Sequence, residues 1–169
     1  KKNEISHNKD IRINLESKLT SAIRNQGSLK AKISNLEESI ETNSSLPYAV
    51  KSVLNNPKLS GIHNTIGKII EMEEEYVKAI GTALGAASNN IIVDNEACAK
   101  AAINYLKSNT LGRATFFPLN IIKGRLIEDD IYKILRLEVG FINIASLLVK
   151  YDPKYVDIIN NQLGNVIVV

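Results

Sequence analysis

The sequence predicts a mixed α/β fold of two related lobes preceded by a long coiled-coil helix. Three observations predict it: an apolar stripe at alternating four- and three-residue spacing near the start, a near-repeat at a constant offset of 79 residues, and, within each copy, short apolar strands on either side of an amphipathic helix.

The stripe runs through Leu15, Leu19, Ala22, Leu29, Ile33, Leu36 and Ile40, with Gln26 in the one remaining slot. Continued backwards, the frame reaches Arg12, Asn8 and Ile5, a poorer match. No proline precedes Pro47, so a helix from Ile5 to Glu41 is expected, a rod of ~55 Å at 1.5 Å per residue. One narrow seam flanked by charge is the pattern of a coiled coil; a helix lying on its own domain shows a wider apolar face. Such a seam needs a partner helix, and Gln26 within it would fix register at some cost in stability. The turn formers Thr42-Asn43-Ser44-Ser45 and then Pro47 end the helix, which places a coiled-coil segment at residues 1–45.

Residues 61–85 and 140–164 align with identities at Gly61/Gly140, Asn64/Asn143, Tyr76/Tyr155, Val77/Val156, Ile80/Ile159, Leu84/Leu163 and Gly85/Gly164. Each copy reads as glycine, strand, acidic or proline-bearing turn, amphipathic helix, glycine stop and apolar strand, Ile91-Ile92-Val93 in the first and Val166-Ile167-Val168 in the second. Only the first copy continues, with an N-cap at Asp94-Asn95, a helical core face of Ala99, Ala102, Ile103 and Leu106, a stop at Gly112 and a strand over Arg113–Phe117. The lobes are therefore placed at 46–127 and 128–169, the second truncated. With Lys1 at one end and a strand that reads as buried at the other, the chain is expected to be a fragment.

Composition narrows the function. At 169 residues, 44% hydrophobic and 23% charged, the chain can bury one core of ordinary size; it has no apolar run long enough to span a membrane and no signal-peptide core at its start. The single cysteine, Cys98, excludes an internal disulfide and fits a cytoplasmic location. Net charge is +3, divided as eight basic against six acidic residues in 1–45 and 13 against 12 in the rest, modest for a dedicated nucleic-acid binder but leaving weak DNA association open.

Candidate chemistry is sparse. Gly61-Ile-His-Asn-Thr-Ile-Gly67-Lys68 has five residues between its glycines where a phosphate loop has four, and Ile69 where that loop has Ser or Thr. Glu71, Glu73, Glu74 and Glu75 at a helix start complement its dipole more simply than they bind metal. His63 has no second histidine near it and reads as a structural polar residue; Cys98 reads as a small core side chain. No catalytic, cofactor or metal constellation is found, so no enzyme activity is expected of this stretch. One charge feature survives: between Ala97 and Ile127 there is no acid, but there are Lys100, Lys107, Arg113, Lys123 and Arg125. If this stretch forms a surface, Lys107, Lys123 and Arg125 are the candidates for phosphate contacts, with Arg113 better suited to a structural role at a strand start. A solvated face whose sign happens to cluster is the plainer alternative.

Gly61-Ile-His63, the Tyr76-Val-Lys-Ala-Ile80 helix, Asn90-Ile-Ile-Val-Asp94, Ala101-Ala-Ile-Asn-Tyr-Leu106 and above all Leu111-Gly-Arg-Ala-Thr-Phe-Phe-Pro-Leu119 resemble the hinge of structural maintenance of chromosomes (SMC) proteins, most closely the bacterial type. The resemblance covers residues 46–169, with departures at Asn64 and Ala86-Ala87-Ser88, where glycine is usual. It implies a two-lobed hinge that dimerises with a second copy, interrupts an antiparallel coiled coil whose returning helix lies elsewhere in the chain, contacts DNA weakly and serves chromosome condensation and segregation at the nucleoid. It also implies that ATP and magnesium belong to distant head domains. The competing class is a small-ligand or nucleotide-binding α/β enzyme domain with an incidental helical extension.

Overall fold

The computed structural model describes the backbone of residues 2–41 and 45–169, and the side chains of residue 9, 11–37 and 45–169. The chain divides into two compact units, Lys1–Ser45 and Leu46–Val169.

The first unit is helix α1, Lys2–Glu41, three residues longer at its start than the heptad pattern suggested. Forty residues make a rod of ~60 Å. The seam residues Leu15, Leu19, Leu29, Ile33 and Leu36 are each more than half exposed, and Ala22 and Gln26 are exposed with them. The side chains of Ile5, Asn8 and Ile40 and the turn at 42–44 lie outside the described residues.

The second unit begins with α2, Tyr48–Leu54, entered through Pro47. Strand β1, Ile62–Thr65, leads into a single helical turn α3, Ile66–Ile69, and a two-residue strand β2, Glu71–Met72. A 3-10 turn over Glu74–Tyr76 opens α4, Val77–Leu84, and a second over Gly85–Asn89 delivers the chain to β3, Ile91–Val93. Helix α5, Glu96–Ser108, crosses over to β4, Phe116–Pro118, which lies parallel to β3. Helix α6, Asp129–Leu135, then precedes β5, Asn143–Ile144, a 3-10 turn, β6, Val149–Lys150, helix α7, Val156–Leu163, and β7, Ile167–Val168.

The repeat is structural. Helices α4 and α7 begin and end 79 residues apart, as do the 3-10 turns before them. Gly61 and Gly140 both take positive φ, at 67° and 88°. Asn64 and Asn143 each accept a hydrogen bond at 2.9 Å from the next residue's N–H. Antiparallel pairing of β1 with β3 is matched by that of β5 with β7. The spacing differs at one point: β3 starts seven residues beyond Leu84 but β7 only four beyond Leu163, because the first copy inserts the Gly85–Asn89 turn.

Several details depart from expectation. Each copy carries an extra turn and a two-residue strand before its main helix, so Glu71 sits on β2 and leaves only Glu74 and Glu75 in the turn that opens α4. Gly85 takes positive φ at 47° but with ψ at −126°, not the left-handed helical backbone of the usual glycine stop, whereas Gly164 is right-handed; glycine is needed at 164 because a Cβ would meet the Arg125 carbonyl oxygen. Helix α5 ends at Ser108, before Gly112, and β4 starts at Phe116, so Arg113 is on a loop. Strand β7 buries Val168 but exposes Ile167, while β3 is buried throughout.

Two apolar clusters hold the unit together. One lies between α2, β3 and α5, built on Val50, Val53, Ile91, Val93, Ala102 and Leu106. The other draws on both repeats, packing Ile66, Ile70, Ile80, Leu84 and Ile92 against Val149, Tyr155, Ile158, Ile159, Leu163 and Val168. Burial of each such aliphatic side chain is worth ~1.5–3 kcal/mol, so the shared cluster makes the two repeats one folding unit.

Candidate functional surfaces

The joint between the repeats is built by β2 and β6. They pair antiparallel, with Glu71 opposite Lys150 and Met72 opposite Val149. Glu71 and Lys150 are one repeat period apart, so each residue faces its own equivalent, the pairing produced by a two-fold axis between them.

A polar chain also crosses from one repeat to the other. The Tyr155 hydroxyl lies 3.0 Å from His63 Nδ1, and His63 Nε2 lies 2.7 Å from Asp94 Oδ1. A carboxylate can only accept, so Nε2 carries a proton and donates it to Asp94; with a neutral imidazole, Nδ1 accepts from Tyr155. Asn95, the neighbour of Asp94, does the capping: its Oδ1 accepts from Cys98 N–H at 3.1 Å, which leaves Asp94 free for His63. Gly61 permits this arrangement, because a Cβ there would meet Cys98 Sγ and Asp94 Oδ2. His63 is thus the structural polar residue the sequence suggested, and Cys98 is half-buried against the α2–α5 cluster.

At the start of α7, Asp152 accepts from Lys154 N–H at 3.1 Å and its carboxylate lies 3.4 Å from Lys154 Nζ; the backbone hydrogen bond holds its pKa below the ordinary value. Lys154 Nζ sits over the Tyr155 ring, 4.8 Å from its centroid, and its pKa is raised by its contacts with the Tyr155 and Asp152 side chains. The Tyr76 phenol is raised by a hydrogen bond to Glu75.

The four basic candidates fall into two groups. Lys107, in the last turn of α5, and Arg113, on the following loop, are exposed beside the α2–α5 cluster. Lys123 and Arg125 are exposed on a segment pinned to α7: Asn161 Nδ2 donates to the Lys123 carbonyl at 2.8 Å, and Gly124 N–H donates to Asp157 Oδ1 at 3.0 Å. Asp157 also approaches Lys123 Nζ to 3.8 Å. The stretch that is acid-free in sequence therefore acquires an acid in space.

The glycine-bounded segment from Gly61 to Lys68 is no phosphate loop, since β1 occupies residues 62–65 and Lys68 lies within α3. Among the described residues, no three His, Cys, Asp or Glu side chains group as metal ligands, and no helix is long and apolar enough to cross a membrane.

The fold is that of a duplicated α/β unit following a helix with an exposed heptad seam. The family model for the SMC proteins flexible hinge domain matches residues 59–169. Similar curated proteins include the chromosome partition protein Smc of Bacillus subtilis, 39% identical over 70% of this chain and 10% of its own length. The Smc of Mesomycoplasma hyorhinis is 33% identical over 96% of this chain and 16% of its length. Among solved structures, an asymmetric dimer of the Geobacillus stearothermophilus SMC hinge domain superposes with a TM-score of 0.85 at 40% identity, covering 90% of this chain and 61% of that one. The Pyrococcus furiosus Smc hinge domain with an extended coiled coil gives 0.63 at 26% identity, covering 99% and 60%. The chain belongs to the SMC hinge family and is of the bacterial type. It spans about a tenth to a sixth of the curated relatives it matches, and the part it spans is the hinge, not the ATPase head.

Proposed function

We propose that this chain is the dimerisation hinge of a chromosome-partitioning SMC ATPase, joining two coiled-coil arms and touching DNA weakly and without sequence preference. The observation that carries the reading is the exposed heptad seam of α1 in a chain whose second unit belongs to the hinge family. An apolar stripe of this length is stable in water only when covered, and an antiparallel helix returning from the hinge is the natural cover. The asymmetric dimer formed by the Geobacillus relative supports homodimerisation. ATP and magnesium would act at the heads of the longer protein, and the nucleoid would be its place of work. DNA contact would fall to Lys107, Lys123 and Arg125, with Arg113 contributing less; Lys123 is partly neutralised by Asp157.

The decisive experiment is sedimentation of a polypeptide extended through the rest of the hinge and its returning helix. A dimer at micromolar concentration is expected, and a monomer would overturn the reading.

A further inference from the structure

The two-fold relation between the repeats predicts two equivalent joints, one on either side of the Glu71/Lys150 pair. On one side Tyr155, at the start of α7, meets residue 63 of the first repeat. On the other, Tyr76, at the start of α4, corresponds to Tyr155, and residue 142 of the second repeat corresponds to residue 63. Residue 63 is histidine and residue 142 is isoleucine, which offers no polar atom.

The two sides accordingly differ. Tyr155 is 7% exposed, its ring meets the imidazole edge-on with centroids 5.6 Å apart, and its hydroxyl joins the chain through His63 to Asp94. Asp94 is itself held in place, its N–H donating to the Gly61 carbonyl at 2.9 Å. Tyr76 has no histidine to meet at the equivalent place, since residue 142 is isoleucine.

We propose that Asp94, His63 and Tyr155 form a one-sided latch between the repeats, a polar tie that Tyr76 cannot make with residue 142 because isoleucine stands there in place of histidine. One hydrogen bond, from the Tyr155 hydroxyl to His63 Nδ1, crosses between the repeats, and Asp94 holds the imidazole in place from within the first repeat. Separating the repeats at this point exchanges that bond and the buried Tyr155 ring contact for water, a net loss that the isoleucine at residue 142 does not impose on the equivalent joint.

Hydrogen exchange on the full chain tests this, with Tyr155→Phe, Tyr76→Phe, His63→Ile and the double variant Tyr155→Phe/His63→Ile. Tyr155→Phe should speed exchange of the β6 and α7 amides by up to about tenfold. Tyr76→Phe should change the α4 amides by less than about twofold. The double variant should exchange no faster than the faster single one, since both cut the same chain. Equal effects of the two tyrosine substitutions, or additive effects of Tyr155→Phe and His63→Ile, would overturn the latch. A measurement that needs no variant is the nitrogen spectrum of the His63 ring: protonated Nε2 with hydrogen-bonded Nδ1 is expected, and a ring averaging between tautomers would refute the proposal.

Discussion

Glu71 on β2 stands opposite Lys150 on β6, and the two occupy the same position of the repeat. Two copies of one repeat element meet here, and the residues at the shared position carry opposite charge. Both strands are only two residues long, and the opposite charges of these two exposed side chains favour the pairing modestly without a direct ion pair.

Charge reversal tests that pair. Glu71→Lys should destabilise the unit by about 0.5–1 kcal/mol, and Lys150→Glu by a similar amount. The double exchange should recover most of the loss in chemical denaturation; no recovery would mean that the strands are held by Met72 and Val149 alone.

The glycines at the two repeat starts should differ in tolerance. Gly140 has positive φ but open space where a Cβ would project, so Gly140→Ala should cost only the backbone term, about 1–2 kcal/mol. Gly61→Ala adds collision with Cys98 and displacement of Asp94 and should cost more, on the order of 3 kcal/mol. Thermal melts of the two variants check the ranking.

The carboxyl of Asp152 should titrate below its ordinary value of 3.8, because it accepts the Lys154 backbone N–H. A lowered pKa in the folded state means that its contribution is complete above the unfolded value and is lost as pH falls through the folded one. Carboxyl-carbon NMR checks the midpoint, and Asp152→Asn should flatten that part of the acid-stability profile.

A peptide of residues 1–45 should be marginally helical alone and gain helix with a complementary strand, because the seam at Leu15, Leu19, Leu29, Ile33 and Leu36 is exposed. Circular dichroism decides; strong helix without a partner would contradict the coiled-coil reading.

Replacement of Lys107, Lys123 and Arg125 by glutamate should weaken DNA binding without unfolding the domain, and should flatten the salt dependence by up to ~0.9 for each phosphate no longer neutralised. Lys123 should account for the least, given Asp157 at 3.8 Å. Unchanged affinity in a folded triple variant would leave these charges as a solvated face.

The heptad seam, the repeat period, the Asn95 cap and the Leu111–Leu119 element of the hinge resemblance were all legible in the sequence. Each depends on residues near one another in the chain, or on a period that needs no knowledge of tertiary neighbours. Tertiary structure alone decided the rest. Strands β2 and β6 are too short to show alternation, and their pairing follows from the two-fold meeting of the repeats. Tyr155 finds His63 across 92 residues, and Asp157 finds Lys123 from outside the acid-free stretch. Spacing along a chain encodes which face of an element is apolar. It does not encode which polar side chain on another element will lie within 3 Å, because that depends on how the shared core of Ile80, Ile159 and their neighbours closes.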